Sequence, residues 1–295
     1  MIKRALPILL ATLLGLPVQA LAFDLEGTLK DAIKEKVKPS SQTDTEPEKK
    51  ADTQTGSEPA FNLKSPSQEE EIQLGRQITG NLLGAAPLVK DAALQKYVNE
   101  VGCWVASQSE RPDLPWHFGV IESADINAFA APGGYVIITK GLYRKLESEA
   151  QLAGILGHEI AHVVRKHHLR LLQKSQLLNL GAKLLGNKLG KGDDTVQKVI
   201  GNGAEILARG LDKDAEYEAD RMGVVLAARS GYEPFGLPEV LQSISETGNT
   251  SRVALLYKTH PHPDDRLLRL GDAIGERLDK VQGKTLEERF YKLKQ

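Results

Sequence analysis

His158 and His162 stand four residues apart with Glu159 between them, inside the stretch Leu146 to Leu172, LESEAQLAGILGHEIAHVVRKHHLRLL. No other feature constrains the fold as strongly. At about 100° per residue, an i, i+4 pair sits one turn apart on one helical face, so both imidazoles can reach a single metal ion while Glu159 addresses the water to be activated. Such a helix has to be enclosed by the rest of the chain. Leu152, Ile155, Leu156, Ile160, Val163 and Val164 supply an apolar face, and Ser148 followed by Gln151 is a capping-box start. The whole stretch reads as one amphipathic helix.

Met1 to Ala22 carries Lys3 and Arg4, then an apolar run from Ala5 to Val18, and ends in Ala20-Leu21-Ala22, the A-x-A pattern of a signal-peptidase site. Cleavage is expected after Ala22, which sends the chain to a periplasm. The run holds Pro7, Gly15 and Pro17 and falls short of the roughly 20 residues of a membrane-spanning helix. No cysteine lies at the cleavage site, so no lipid anchor is predicted. Cys103 is the single cysteine, which excludes an internal disulfide; beside Trp104 in a helical pattern it reads as a buried, inert thiol. Loss of Lys3 and Arg4 takes Lys+Arg from 38 to 36 against 39 Asp+Glu, a net charge of −3. That balance gives no support to nucleic-acid binding.

Residues 23–66 read as an N-terminal segment and linker, because Pro39 to Pro66 is Ser, Thr, Glu, Gln, Lys and Pro with almost nothing to bury. The folded domain is expected over residues 67–295. Ser67 and Glu70 form a capping-box pattern ahead of Ile72, Leu74 and Ile78, and a second helix is expected from Asp91 to Ser107. Two strands follow, Trp116 to Ile121 and Tyr135 to Thr139, with Asn127, Pro132, Gly133 and Gly134 between them. After the histidine helix, Gln176 to Arg209 is Leu-rich and Gly-interrupted, the pattern of a helical hairpin on the core.

A catalytic zinc takes three protein ligands and leaves a fourth position open. His167 and His168 are close in sequence, but a continued helix puts them about 140° and 240° round from the ligand face. They read as solvated residues near the helix end. Downstream, DKDAEYEAD (Asp212 to Asp220) opens a helical run. A carboxylate at Glu216 could complete a His-His-Glu set, with Asp220 one turn on accepting the second N–H of a ligating imidazole. Spacing alone does not separate Glu216 from Glu218.

Five segments together resemble the HtpX-like and prenyl-protein-peptidase-like gluzincins, and their periplasmic members in particular. They are DINAFAAPGGYVIITKGL (Asp125 to Leu142), SEAQLAGILGHEIAH, EYEAD, SGYEP (Ser230 to Pro234) and THPHPDDR (Thr259 to Arg266). The resemblance implies a helix-rich α+β zincin domain with a small sheet beside the HExxH helix. It also implies that His158, His162 and Glu216 hold one Zn2+ per chain, that Glu159 is the general base and that Asp220 supports a ligand. His260 matches a histidine that lies over the metal in relatives and acts as a switch or extra ligand; His262, two residues away, is the alternative. The chain lacks the lipobox cysteine of the lipoprotein members and a long C-terminal tetratricopeptide array, so a link to the outer-membrane assembly machinery is only a partner class suggested by the family.

The expected activity is a zinc-dependent endopeptidase of the bacterial envelope acting on unfolded or misfolded envelope and outer-membrane proteins. Substrate is expected to add as a strand alongside Tyr135, Val136, Ile137, Ile138 and Thr139. The rival from another class is a zinc-stabilised chaperone or adaptor that binds unfolded protein without cutting it. Glu159 speaks against the rival, since binding alone has no chemical need of a base there.

Overall fold

The computed structural model describes residues 66–175, 210–248, 250–278 and 280–293. The leader, nearly all of the linker, and the stretch 176–209 lie outside the described residues. The first helix, α1 (Gln68–Ala85), starts where the capping box predicts: Ser67 Oγ accepts from Glu70 N (3.2 Å) and Glu70 Oε2 from Ser67 N (2.7 Å). Its Leu74, Ile78 and Leu82 are buried. Asp91 caps α2 (Ala92–Ala106) through Leu94 N.

Three strands follow rather than two: β1 (His117–Ile121), β2 (Ala128–Ala131) and β3 (Tyr135–Thr139). Their order is β1-β3-β2, with β1 parallel and β2 antiparallel to β3. The turn between β2 and β3 uses Gly133 and Gly134 at φ 78° and 102°, a region closed to most side chains. Both sides of β3 are therefore paired. This corrects the expectation that substrate adds alongside Tyr135–Thr139, because among the described residues the sheet edges belong to β1 and β2.

A short α3 (Lys140–Tyr143) leads to α4 (Glu149–Val164), the helix that carries the two histidines. Ser148 caps it by accepting from Gln151 N at 3.2 Å. The helix is shorter than its pattern suggested. Arg165 and Lys166 form a turn, Lys166 takes φ 55°, and a new helical segment runs over 167–175. Buried Glu71 of α1 holds that break: it accepts from both terminal nitrogens of Arg111 (2.7 and 3.0 Å) and from Gly133 N (3.2 Å), and pairs with Lys166 Nζ (3.1 Å). Lys166 thus gains a charge partner in a backbone conformation that costs a non-glycine residue free energy.

The remaining elements are α5 (Lys213–Arg229), α6 (Gly236–Glu246), a 3-10 turn (Ser251–Val253), α7 (Ala254–Thr259), α8 (Pro263–Ile274) and a second 3-10 turn (Gly275–Leu278). Helices α4 and α5 touch backbone to backbone: a Cβ on Gly157 would lie 2.8 Å from Gly223 O, and one on Gly223 would lie 2.7 Å from His158 N. Side chains of ordinary size would push the helices apart and carry Glu216 and Asp220 away from His158. At the other end of α4, buried Glu149 accepts from Tyr97 Oη (2.9 Å), Tyr232 Oη (2.8 Å) and Arg289 Nε (2.9 Å). The C-terminal residues are thereby strapped across the start of the helix, where Phe290 also stacks on Tyr143. The architecture is the helix-rich α+β arrangement expected, with a small sheet beside the HExxH helix.

Cys103 departs from expectation. It is exposed, because the buried stripe of α2 runs through Leu94, Val98, Val101 and Val105 and turns Cys103 and Trp104 outward.

Candidate metal centre

His158 and His162 project from the same face of α4 with their Nε2 atoms 3.0 Å apart. Glu216, in the first turn of α5, places Oε2 3.7 Å from His158 Nε2 and Oε1 3.5 Å from His162 Nε2. His260, the residue that ends α7, brings Nδ1 to 2.6 Å from Glu216 Oε2. One donor atom from each of these four residues lies within 4.8 Å of every other. Three are enclosed, His158, His162 and Glu216 being 3%, 1% and 0% exposed, and His260 is partly buried. Glu216 Oε1 is buried with no hydrogen-bond partner among the described residues. An orphaned carboxylate oxygen among imidazole nitrogens is what a divalent metal such as zinc would satisfy, so the residues present fit the ion.

Charge explains the protonation of the group. Burial pushes the Glu216 carboxyl up, but His260, then His158 and Arg266, outweigh it and hold it below the usual range. Burial and the neighbouring imidazoles keep His162 far below the ordinary histidine value, so it is neutral and able to donate a lone pair. Glu159, 2% exposed, has its carboxyl raised, chiefly by burial. It has no hydrogen-bond partner among the described residues.

Asp220, one turn beyond Glu216, accepts from His158 Nδ1 through Oδ1 at 2.9 Å, which turns Nε2 toward the group. Behind it stands Arg266 of α8, 4% exposed, donating to Asp220 from Nε (3.0 Å) and Nη2 (2.5 Å). Arg266 belongs to the THPHPDDR segment, but its task has no local signature because its partner lies 46 residues away.

His167 is the larger surprise. Rather than being solvated, it is 2% exposed, with Nδ1 2.9 Å from His162 Nδ1 and Nε2 3.3 Å from Glu218 Oε2. The break at Lys166 folds it back toward the helix that a straight continuation would have carried it away from. His168 is half-buried, its ring 5.4 Å from that of His162, and burial pushes its pKa down to about 3. Glu218 therefore sits outside the four-residue group, engaged by His167 and by Arg165 Nε at 3.0 Å. His262 lies outside it too, capping α8 by accepting from Asp264 N at 3.4 Å.

A histidine pair on one enclosed helix, a carboxylate from a second helix and an unpaired glutamate between the histidines define a gluzincin-type metallopeptidase. The chain belongs to peptidase family M48, whose model matches residues 92–274. It is 32% identical over 206 residues to the beta-barrel assembly-enhancing protease of Escherichia coli (strain K12), covering 67% of this chain and 42% of that protein. A putative beta-barrel assembly-enhancing protease of Vibrio cholerae is 27% identical over 207 residues, 68% and 43% of the two chains. The mitochondrial metalloendopeptidase OMA1 of Arabidopsis thaliana is 27% identical over 169 residues, 57% and 33%. The chain thus spans less than half the length of these curated relatives.

Proposed function

We propose that this chain is a zinc-dependent endopeptidase of the bacterial envelope, acting on unfolded or misfolded outer-membrane proteins. The observation that carries the reading is the enclosed convergence of His158, His162 and Glu216 beside an unpaired Glu159. In this reading those three residues hold one zinc ion. Bound there, zinc would polarise the scissile carbonyl and lower the pKa of a coordinated water to about 7. Glu159 takes the proton of the attacking water and hands it to the leaving amine, and its lack of a competing hydrogen bond among the described residues leaves it available for both transfers. Asp220 and Arg266 fix the ring of His158, while His167 and Glu218 do the same for His162.

A pure binder of unfolded protein would gain nothing from a buried, unpaired carboxylate, whose desolvation costs free energy. A periplasmic location is supported by the leader-like pattern of Met1 to Ala22 and by the beta-barrel assembly named in the bacterial relatives. Among the described residues no helix is long and apolar enough to cross a membrane. With β3 enclosed on both sides, the free edge of β2, which packs against α4, is the strand along which an extended peptide would lie.

His260 is read as a latch. Its Nδ1 contact with Glu216 Oε2 occupies one side of the group, and in this reading that is the side from which substrate enters. Thr259, the residue before it, ties the end of α7 to the residue preceding β2, its Oγ1 donating to Asn127 Oδ1 at 3.5 Å. Release of this segment would open the site. Metal analysis beside casein cleavage, for the wild type and Glu159→Gln, tests the enzymatic reading.

A further inference from the structure

At the end of the sheet away from the β2–β3 turn, the loop that follows β1, the end of α1, the α3 region and the 3-10 turn before α7 line a cavity of about 700 Å³. Lys140, Arg144, Lys145 and Arg252 line it against a single carboxylate, Glu122. That carboxylate is already taken, since both its oxygens accept from Lys140 Nζ at 3.0 and 2.9 Å. The nearby Asp125 is bonded to Ser123 Oγ at 3.0 Å and is not part of the lining. Arg144, Lys145 and Arg252 have no side-chain hydrogen bond or ion pair among the described residues. Three unpaired cations brought to one concavity from two segments more than 100 residues apart in sequence repel one another, and the fold gains nothing from gathering them.

We propose that this cavity is a binding site for a phosphate ester. Two guanidinium forks and an ammonium match the several oxygens and the double charge of a phosphate better than the single charge of a carboxylate. The volume exceeds what a bare anion needs, and the apolar parts of the lining, Pro87 and Ile126, would take the organic part of the ligand. A free phosphate ester and the headgroup of an anionic lipid share this chemistry. Arg252 also begins the segment that leads to His260, and its carbonyl accepts from Ile126 N at 2.8 Å. A ligand shared by Arg144, Lys145 and Arg252 would therefore brace the base of that segment; this consequence rests on the latch proposed above, whereas the binding itself does not.

The test uses the full chain and two probes. Glycerol 3-phosphate is titrated by calorimetry, and vesicles of phosphatidylglycerol in phosphatidylcholine are compared with phosphatidylcholine alone by cosedimentation. At least one probe should bind, and its affinity should fall tenfold or more in Arg144→Gln/Lys145→Gln/Arg252→Gln. A control lacking three exposed cations elsewhere, Lys90→Gln/Lys96→Gln/Arg229→Gln, should bind as the wild type does. Binding of the soluble ester identifies a free ligand, and binding of the vesicles alone identifies a lipid headgroup. If the triple variant does not fold, Arg144→Gln and Arg252→Gln are measured singly, each with a several-fold loss expected. The proposal is overturned if neither probe binds the wild type, or if the cavity variants bind as well as the control.

Discussion

His167 Nδ1 lies 2.9 Å from His162 Nδ1, although a continuous helix would have separated the two rings by about 140°. With His162 Nε2 turned toward Glu216, the proton of His162 sits on Nδ1 and is donated to His167. His167 in turn carries its proton on Nε2, facing Glu218 Oε2 at 3.3 Å. One histidine of the site is thus held directly by a carboxylate, Asp220, and the other through an intervening imidazole.

Replacing His167 by Leu should weaken zinc binding about 10- to 100-fold, the usual cost of losing a residue that orients a metal ligand. His167→Gln, which can still accept from His162 Nδ1, should recover part of the loss. Competition with a chelator measures both affinities. Equal affinity for wild type and His167→Leu would make His167 a packing residue only.

Glu216→Ala should abolish stoichiometric zinc, since it removes one of three ligands, while Glu218→Ala should retain it with lower affinity. Atomic absorption on the purified variants separates them. Full zinc in Glu216→Ala would remove that residue from the site.

His260→Ala should keep zinc and cut unfolded protein faster, with more self-cleavage, if the Nδ1 to Glu216 contact is a latch. His262→Ala should be silent, because His262 caps α8 instead. A fall in turnover with zinc unchanged would assign His260 to stabilising the charge that develops on the substrate oxygen.

Glu149 provides a pH-dependent test of stability. Burial pushes its carboxyl up, but bonds from Arg289, Tyr232 and Tyr97 outweigh that and hold it below the usual range. A depressed folded-state value adds stability above the unfolded value of about 4.3, and that stability is lost as pH falls through the lower folded value. Glu149→Gln should therefore cost about 2 kcal/mol at pH 7 and progressively less below pH 4. Urea unfolding at both pH values measures the difference; an unchanged gap would deny the strap its ionic character.

The parts of this architecture that depend on local chemistry were legible in the sequence. Ser67 and Ser148 cap the helices their capping-box patterns suggested, and the apolar face of α4 is buried as its periodicity required. Features set by distant partners were not. The break at Lys166 is held by Glu71, 95 positions earlier, so a helical wheel drawn past Val164 gave both His167 and His168 the wrong surroundings. Strand β2 reads Ala-Phe-Ala-Ala, with little strand propensity of its own, and exists because β3 pairs with it. Its absence from the sequence reading left β3 with an edge it does not have. Arg266 gave no local signal either, being a buried cation whose meaning appears only once α8 meets Asp220.

The central claim is that Glu159 is the base of a metal-dependent peptidase, and one substitution tests it most directly. Zinc content, circular dichroism and casein cleavage are to be measured on wild type and Glu159→Gln side by side, because the amide keeps the shape of the side chain but cannot accept the water's proton. The account predicts equal zinc, an equal spectrum and a loss of turnover of at least 100-fold. Equal cleavage by the two proteins, or wild-type protein that binds zinc and unfolded substrate but never cuts it, would contradict the account.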